Sequence, residues 1–349
     1  MKLMFRDKKI LVTGGTGSVG RRIIHELMKH DPKVIRVFDT DETRESVMQD
    51  HLKEHTNVRF LLGDIRDKDR LSRAVEDIDI VFHTASFKHV FSCEYNPFEA
   101  VKTNVIGTQN IIDAAMSEEV EKFVFTSSDK AVNPTNVMGA TKLLAERLVT
   151  AANHYKGPRK TVFFSVRFGN VLGSRGSVIR LFKKQIQKGG PLTITDLNMT
   201  RFVMSISQAV SLLFKSTSIA QGGEVFIFKM PAVRILKIAQ VMIEELGPVY
   251  GYKADEIQLK RIGKKPGEKL YEELITQSEA ERSLETRDMF IVLPEIREDL
   301  LIDTSRYPNA KHTKLTSYTS NDARFLTERE IKRLLQRCDT PQESQVKLT

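Results

Sequence analysis

Residues 8–20 read KKILVTGGTGSVG, a short apolar run that ends in glycines and passes straight into VGRRIIHELMKH, Val19 to His30, whose apolar residues fall at helical spacing. Gly14, Gly17 and Gly20 stand at the G-x-x-G-x-x-G spacing. A turn this tight needs glycine's freedom in φ, and a phosphate approaching the backbone tolerates no Cβ. The helix start offers amide N–H groups and the positive end of its dipole. Strand, turn and helix in this order predict a dinucleotide pyrophosphate site built from Gly14, Thr16, Gly17, Ser18, Val19 and Gly20.

The same alternation repeats downstream. KVIRVFD (33–39), NVRFLLGD (57–64), DIDIVFHTA (77–85), KFVFTSS (122–128) and KTVFFSVRF (160–168) are apolar runs separated by helical patterns, the longest being FEAVKTNVIGTQNIIDAAM (98–116). Strands this continuously apolar are buried on both faces, which predicts an α/β fold with a Rossmann-type doubly wound parallel sheet. The expected division is a nucleotide-binding domain over 1–170, with 202–230 returning to it, and a smaller C-terminal substrate-binding lobe from 171–201 and 231–316. Helices near 178–188, 206–216 and 235–246 and a strand at EVFIFK (224–229) stand out before an irregular C-terminal third. The polar tail CDTPQESQVKLT (338–349) is expected to be disordered.

The second strand ends at Phe38, with Asp39 and Thr40 behind it. A carboxylate there accepts from an adenosine ribose hydroxyl and repels a 2′-phosphate, so NAD is favoured over NADP, although Arg44 is near enough to keep NADP open. Asp64 and Ile65, after the third strand, are placed near the adenine, where Asp64 reads equally well as a helix N-cap. Ala85, at the end of the fourth strand, and Lys142, further along the chain, complete the cofactor set.

The chain has 349 residues, room for one large α/β domain with an appendage. No apolar stretch approaches the ~18 residues of a membrane helix, and Arg6, Asp7, Lys8 and Lys9 interrupt the region where a signal peptide is apolar. A cytoplasmic protein with no membrane partner is expected. Two cysteines, Cys93 and Cys338, exclude a disulfide framework and a zinc knuckle. The net charge of +9 suits nucleic acid, an anionic membrane or a phosphorylated small molecule, but the chain has no Trp and no Lys/Arg run beside aromatics, which argues against nucleic acid. HLKEH (51–55) matches a zinc-peptidase spacing without a third ligand in view. Ser127 to Lys130 fits S-x-x-K without the partner motifs of that acyl-transfer class, so neither metal nor acyl-enzyme is expected.

A second cluster, TSSDKAVNPTNVMGATK (126–142), lies at the C-terminal end of a central strand, where ligands bind in open α/β sheets. With TGGTGSVG (13–20) and HTASFK (83–88) it resembles the extended short-chain dehydrogenase/reductases. RFGNVLGSRGSVIRLF (167–182), PLTITDLNMTRFVMS (191–205) and KPGEKLYEELI (265–275) narrow the resemblance to the inverting UDP-N-acetylglucosamine 4,6-dehydratases of surface-polysaccharide synthesis. The superfamily has Tyr four residues before the active-site lysine. Here Met138 stands there and Lys142 is retained, as in a capsular-polysaccharide branch that YTSNDARFLTEREIKRLL (318–335) also resembles, where the segment can latch over the active site.

The resemblance implies oxidation at C4 of a UDP-amino sugar, removal of the C5 proton by Lys130, protonation of the departing C6 hydroxyl by Asp129, hydride return to C6 and inversion at C5. Those roles need a neutral amine and a protonated carboxyl from groups whose free pKa values lie near ~10.4 and ~3.9, so burial shifts both or one proton passes between them. A thioether cannot accept the C4-hydroxyl proton, which leaves Lys142, or a water it holds, with Ser128 as relay. The same resemblance places Lys88 and Asn170 on sugar or diphosphate, and Thr193, Met199 and Arg201 around the nucleotide. Lys265 and Glu268 fall on phosphate, ribose or base, with Arg261 compensating for a lysine where the family has arginine. Family members form dimers and hexamers, so a homo-oligomer is expected. The alternatives are a UDP-sugar 4-epimerase, whose relatives carry small neutral residues in place of Asp129 and Lys130, and an NAD-binding protein that Met138 has disarmed.

Overall fold

The computed structural model describes residues 2–174, 176–296 and 302–338. Six parallel strands come from the expected apolar runs: β1 (Lys9–Thr13), β2 (Val34–Asp39), β3 (Val58–Leu62), β4 (Ile80–His83), β5 (Lys122–Ser128) and β6 (Val162–Phe168). Val225–Phe228 adds a seventh parallel strand beside β6, and the sheet runs β3-β2-β1-β4-β5-β6 before it. The chain moves outward from β1 to β3 and then returns to the other side of β1 as β4. This reversal opens a crevice at the carboxyl ends of β1 and β4.

Successive strand residues feed opposite layers, as a pleat requires. Ile10, Val12, Phe82 and Val124 pack on one side with Ile23, Ile24 and Leu27 of helix Ser18–Leu27 and Leu213 and Phe214 of helix Ile206–Ile219. Leu11, Val81, Phe123 and Phe125 pack on the other with Ile111, Ile112, Ala145 and Val149 of helices Gly107–Ser117 and Val137–Tyr155. Covering both faces is what permits the strands to be apolar throughout.

The smaller lobe has its own core, in which helices Val178–Ile186 and Ile235–Leu246 meet Ile331 of the final helix, Glu328–Cys338. One expectation needs correction. Residues 231–316 do not all belong to this lobe, because Ser283–Glu285, Met289–Val292 and Lys311–His312 extend the large sheet as antiparallel strands beyond Val225–Phe228. MFIV (289–292) is buried at every position, but so short a run carries no periodicity to announce it. The final segment pairs Tyr318–Thr319 with Glu273–Ile275 and lays its helix against Ile235–Leu246 through Lys237–Glu328 and Lys332–Glu245 ion pairs of 2.9 Å. The helix bearing His51 ends at Leu52, so the HLKEH imidazoles do not share a helical face. The tail expected to be disordered lies, past Cys338, outside the described residues.

Arg167 at the end of β6 fastens the sheet to helix Val137–Tyr155 and to the 274–279 segment. Its guanidinium, fully buried, donates to both oxygens of Glu146 (3.0 and 2.6 Å), both of Glu279 (3.0 and 2.9 Å) and the Leu274 carbonyl (2.8 Å). Burial pushes the Glu279 carboxyl up, but Arg167 outweighs it and holds the group at about 2. The stability this contributes is complete above the ordinary glutamate pKa of 4.5 and is lost as pH falls toward about 2. Replacing Arg167 with Met strands two buried carboxylates, and urea denaturation at pH 7 should show a loss of about 3–5 kcal/mol.

Candidate active site

A cleft of about 1040 Å³ opens at the switch point, lined by the ends of β1, β2, β4 and β5 and by the residues after β6. Its floor is the glycine turn. Gly14 has φ +66°, and a Cβ there would lie 2.7 Å from the Ala85 amide nitrogen; one on Gly20 would lie 2.4 Å from the Gly14 carbonyl oxygen. Gly14, Thr16, Gly17, Ser18 and Val19 line the cleft, whereas Gly20 serves the packing of helix on turn. Helix Ser18–Leu27 begins at Gly17 without a side-chain cap. A helix's opening amides lack intrahelical acceptors, so this end suits an anion.

Asp39 anchors that turn. Its Oδ2 accepts from the Thr16 amide (3.0 Å) and hydroxyl (2.8 Å), and its Oδ1 from the Thr40 and Asp41 amides (2.8 and 3.3 Å). All its acceptor positions are used, and the Thr16 hydroxyl is the donor on a rotatable bond that can yield to a ribose hydroxyl. Arg44 lines the cleft but is paired to Asp41 at 2.9 Å. Asp64 and Ile65 line the cleft too; Asp64 accepts from Arg66, whose side-chain hydrogen bond works with its charge against burial to hold the carboxyl below its ordinary value. Thr40 and Ala85 complete the lining expected of the cofactor set.

Of the reacting set, Ser128, Lys130, Met138 and Lys142 face the cleft. Asp129 does not: it is fully buried and reaches the cleft through two neighbours, accepting on Oδ1 from Ser128 Oγ (2.8 Å) and Lys130 Nζ (2.9 Å), while Oδ2 has no partner among the described residues. A residue absent from the expectations joins them. Glu272, 3% exposed, sets Oε1 3.7 Å from Lys130 Nζ and 3.6 Å from Arg201 Nε, and its Oε2 has no partner among the described residues. Burial acts to neutralise Lys130, but Asp129 and Glu272 outweigh it and raise the pKa, so the resting amine is an ammonium, which of the two routes foreseen favours a proton passing between the pair. The Glu272 carboxyl is raised, by burial first and then by Asp129.

Lys142 shows the opposite balance. It is buried on helix Val137–Tyr155, donates to the Thr126 carbonyl (3.0 Å) and lies 4.6 Å from the Phe125 ring centroid. Desolvation takes its pKa down to about 8, with Glu146 opposing. Met138, one turn earlier, packs with Cys93 and Ala100. The helix start is fixed by Asn136, which accepts from the Gly139 amide (2.8 Å), and by Glu94, which accepts from the Val137 amide (2.6 Å). His83, also missed, is buried beneath the turn between the Thr13 and Thr108 hydroxyls (2.7 and 3.1 Å), and burial lowers it to about 3. Lys88 lines the cleft beside Phe87, whose amide donates to Asn104 Oδ1 (2.7 Å).

The remaining substrate residues are not among those that line the cleft. The segments 192–201 and 259–269 spend their polar groups on each other: Leu192–Ile194 pairs with Leu259–Arg261, Arg261 with Asp196 (3.0 Å), and Thr193 accepts from Gln185 (2.8 Å). Met199 is buried in the lobe core, and Arg201 donates to the carbonyls of Thr200, Lys269 and Leu270. Asn170 pairs in a short strand with Val203, and Glu268 lies 3.7 Å from Arg201 while accepting the Lys265 amide (3.2 Å). The 318–335 segment buttresses Glu272 from behind, Ser320 Oγ accepting its amide (2.9 Å), and lies outside the cleft lining.

Residues 10–294 match the family described as polysaccharide biosynthesis protein. A Methanocaldococcus jannaschii protein described as an uncharacterized membrane protein is 57% identical over 331 residues, 95% of this chain and 96% of that one. No described helix of the present chain is long and apolar enough to cross a membrane. The inverting UDP-N-acetylglucosamine 4,6-dehydratase of Campylobacter jejuni is 38% identical, covering 94% of this chain and 97% of its own. A Rickettsia conorii UDP-glucose 4-epimerase is 36% identical over 97% and 98%. Among solved structures, Pen from Bacillus thuringiensis superposes with a TM-score of 0.88 at 46% identity, covering 95% and 98%. The dTDP-glucose 4,6-dehydratase DesIV of Streptomyces venezuelae, solved with NAD bound, shares the fold at TM-score 0.67 and 20% identity over 75% and 86%.

The two cleft lysines should separate in solution. With lysines labelled at the ε-carbon, NMR should show one titrating near pH 8, neutral above and charged below, and Lys142→Met should delete that resonance.

Proposed function

The chain belongs to the polysaccharide biosynthesis protein family, and from that footing we propose that it is an NAD-dependent nucleotide-sugar 4,6-dehydratase acting on UDP-N-acetylglucosamine, with inversion at C5. The observation that carries the proposal is the buried Asp129 shared by Ser128 and Lys130 at the mouth of β5, beside the glycine turn. The uncapped helix start and the Asp39 carboxylate fit a dinucleotide without a 2′-phosphate, and Arg44 is held by Asp41. Bound NAD supplies the reversible oxidation that makes C4 a ketone and the C5 proton acidic.

The chain's own residues move the protons. Lys142, poised near neutrality, takes the C4-hydroxyl proton that the thioether of Met138 cannot accept. Lys130 passes one N–H proton across its 2.9 Å contact to Asp129, leaving a neutral amine and a protonated carboxyl in a single step. The amine removes the C5 proton. Ser128 gives its hydroxyl proton to the departing C6 oxygen and is resupplied by Asp129 over 2.8 Å, which returns the pair to ammonium and carboxylate. Lys88 in the cleft lining is assigned to the diphosphate, with Lys265 and Arg261, the latter exchanging its Asp196 partner, at the lobe's edge. Met199 and Arg201, buried and engaged, are not proposed as ligands.

The epimerase relatives favour a second reading, since C4 oxidation and return need only the glycine turn and Lys142. Incubation with UDP-N-acetylglucosamine followed by NMR separates the two: a 4-keto-6-deoxy product supports the dehydratase, and a C4 epimer supports the alternative. No turnover with retained NAD would reduce the protein to a binding module. Lys130→Met and Asp129→Asn should keep NAD but lose elimination by at least ~100-fold, the scale of a lost general acid or base. Lys142→Met should abolish cofactor reduction by substrate while Met138→Ala stays active, and unaffected transfer in Lys142→Met would end the role given to that amine.

A further inference from the structure

Glu272 lies outside the cleft and has no part in the steps above, yet it is buried against the group those steps depend on. Its carboxylate faces Lys130 and Asp129 at the end of β5, Arg201 from strand Thr200–Met204, and Lys269 from its own loop, with Glu268 on the far side of Arg201. The placement is enforced. The Glu272 amide donates to Ser320 Oγ (2.9 Å), its carbonyl accepts the Ser320 amide (2.8 Å), and Ser320 meets the Thr200 hydroxyl at 2.8 Å. Burying a carboxylate whose Oε2 finds no partner among the described residues costs stability, and its charge acts on the lysine beside it.

We propose that Glu272 is a positioning residue for the reaction, its charge, counterweighted by Arg201, setting how tightly the Lys130–Asp129 pair keeps the one proton it shuttles. The inference rests on the dehydratase reading. Between them Lys130 and Asp129 hold a single mobile proton: as N–H on the resting ammonium, or as O–H on Asp129 when the amine is free. Losing that proton to solvent at high pH removes the acid that the C6 oxygen needs, so activity has a descending alkaline limb. The negative charge at 3.7 Å retains the proton, and the guanidinium 3.6 Å from the same carboxylate tempers that hold.

The signs are fixed. Glu272→Gln should move the descending limb of kcat to lower pH by at least about one unit, the scale of one opposite charge within ~4–6 Å. Glu272→Asp, which keeps the charge, should leave the limb with the wild type. Arg201→Gln should move it upward, and Glu272→Gln with Arg201→Gln should bring it back. The limb near pH 8 set by Lys142 should stay put in all four. In the same variants, ε-carbon NMR should show the Lys130 titration, assigned with Lys130→Arg, falling in Glu272→Gln and rising in Arg201→Gln. That readout needs no turnover, so a protein inactive on UDP-N-acetylglucosamine overturns the reaction assigned above while this inference stands or falls on the titration. A uniform slowing of Glu272→Gln, with limb and titration unmoved, overturns it. Should that variant fail to fold, an unmoved Lys130 titration in Arg201→Gln overturns it equally.

Discussion

Backbone meets backbone at the bottom of the cleft. With no side chain at Gly14 or Gly20, the turn after β1 can touch helix Ser18–Leu27 on one side and the Ala85 amide after β4 on the other. A methyl group at either place would collide with main-chain atoms, which cannot swing aside as a side-chain tip can. This close approach aims the start of helix Ser18–Leu27 into the crevice at the sheet's reversal, and the remaining components of the cleft are arranged around it. Asp39 holds the turn from β2, and the carboxyl ends of β4 and β5 deliver Lys88, Ser128 and Lys130 along the same edge.

The cleft contains two lysines of identical intrinsic basicity and drives them apart. Lys142 is desolvated with a carbonyl and an aromatic ring for company, and Glu146, the nearest carboxylate on its helix, is already claimed by Arg167. Lys130 is flanked by two carboxylates. Desolvation therefore prevails at the first and Coulomb attraction at the second, giving one amine poised near neutrality and one that stays charged until a proton is passed on. That contrast is what a reaction with two different proton abstractions requires, and it arises from neighbours, not from the lysines themselves.

Sequence reading reached as far as local pattern reaches. The parallel strands were legible because burial on both faces leaves continuous apolar runs, and the turn was legible because glycines at fixed spacing have a backbone reason to be there. Asp129 was found, but its depth was not: nothing in SSDK says that the carboxylate turns inward and touches the cleft only through its neighbours. Glu272 and His83 were missed for the same reason. Each stands in an ordinary run, YEELI or IVFH, and gains its character from residues more than twenty positions away. Arg201 and Met199 were placed on the nucleotide by resemblance, whereas the folded lobe turns them inward.

The lobe thus supplies charge as well as cover. The first 170 residues contain the turn, Asp39, Lys142 and the Ser128–Lys130 run, which on the proposed reading serve the dinucleotide and the oxidation at C4. The proposed elimination makes a further demand, since Lys130 would have to hold its proton at rest and yield it when the ketone forms. The charges proposed to adjust this balance, Glu272 and Arg201, come from later segments, and Ser320, near the end of the described chain, fixes the Glu272 backbone. Arg167 ties the same segment to the sheet, joining β6 to the Leu274 carbonyl and to Glu279, two and seven residues beyond Glu272. On the proposed reading, a core shared with relatives named epimerases would acquire dehydration by surrounding one lysine with charge, leaving the nucleotide-binding edge as it was.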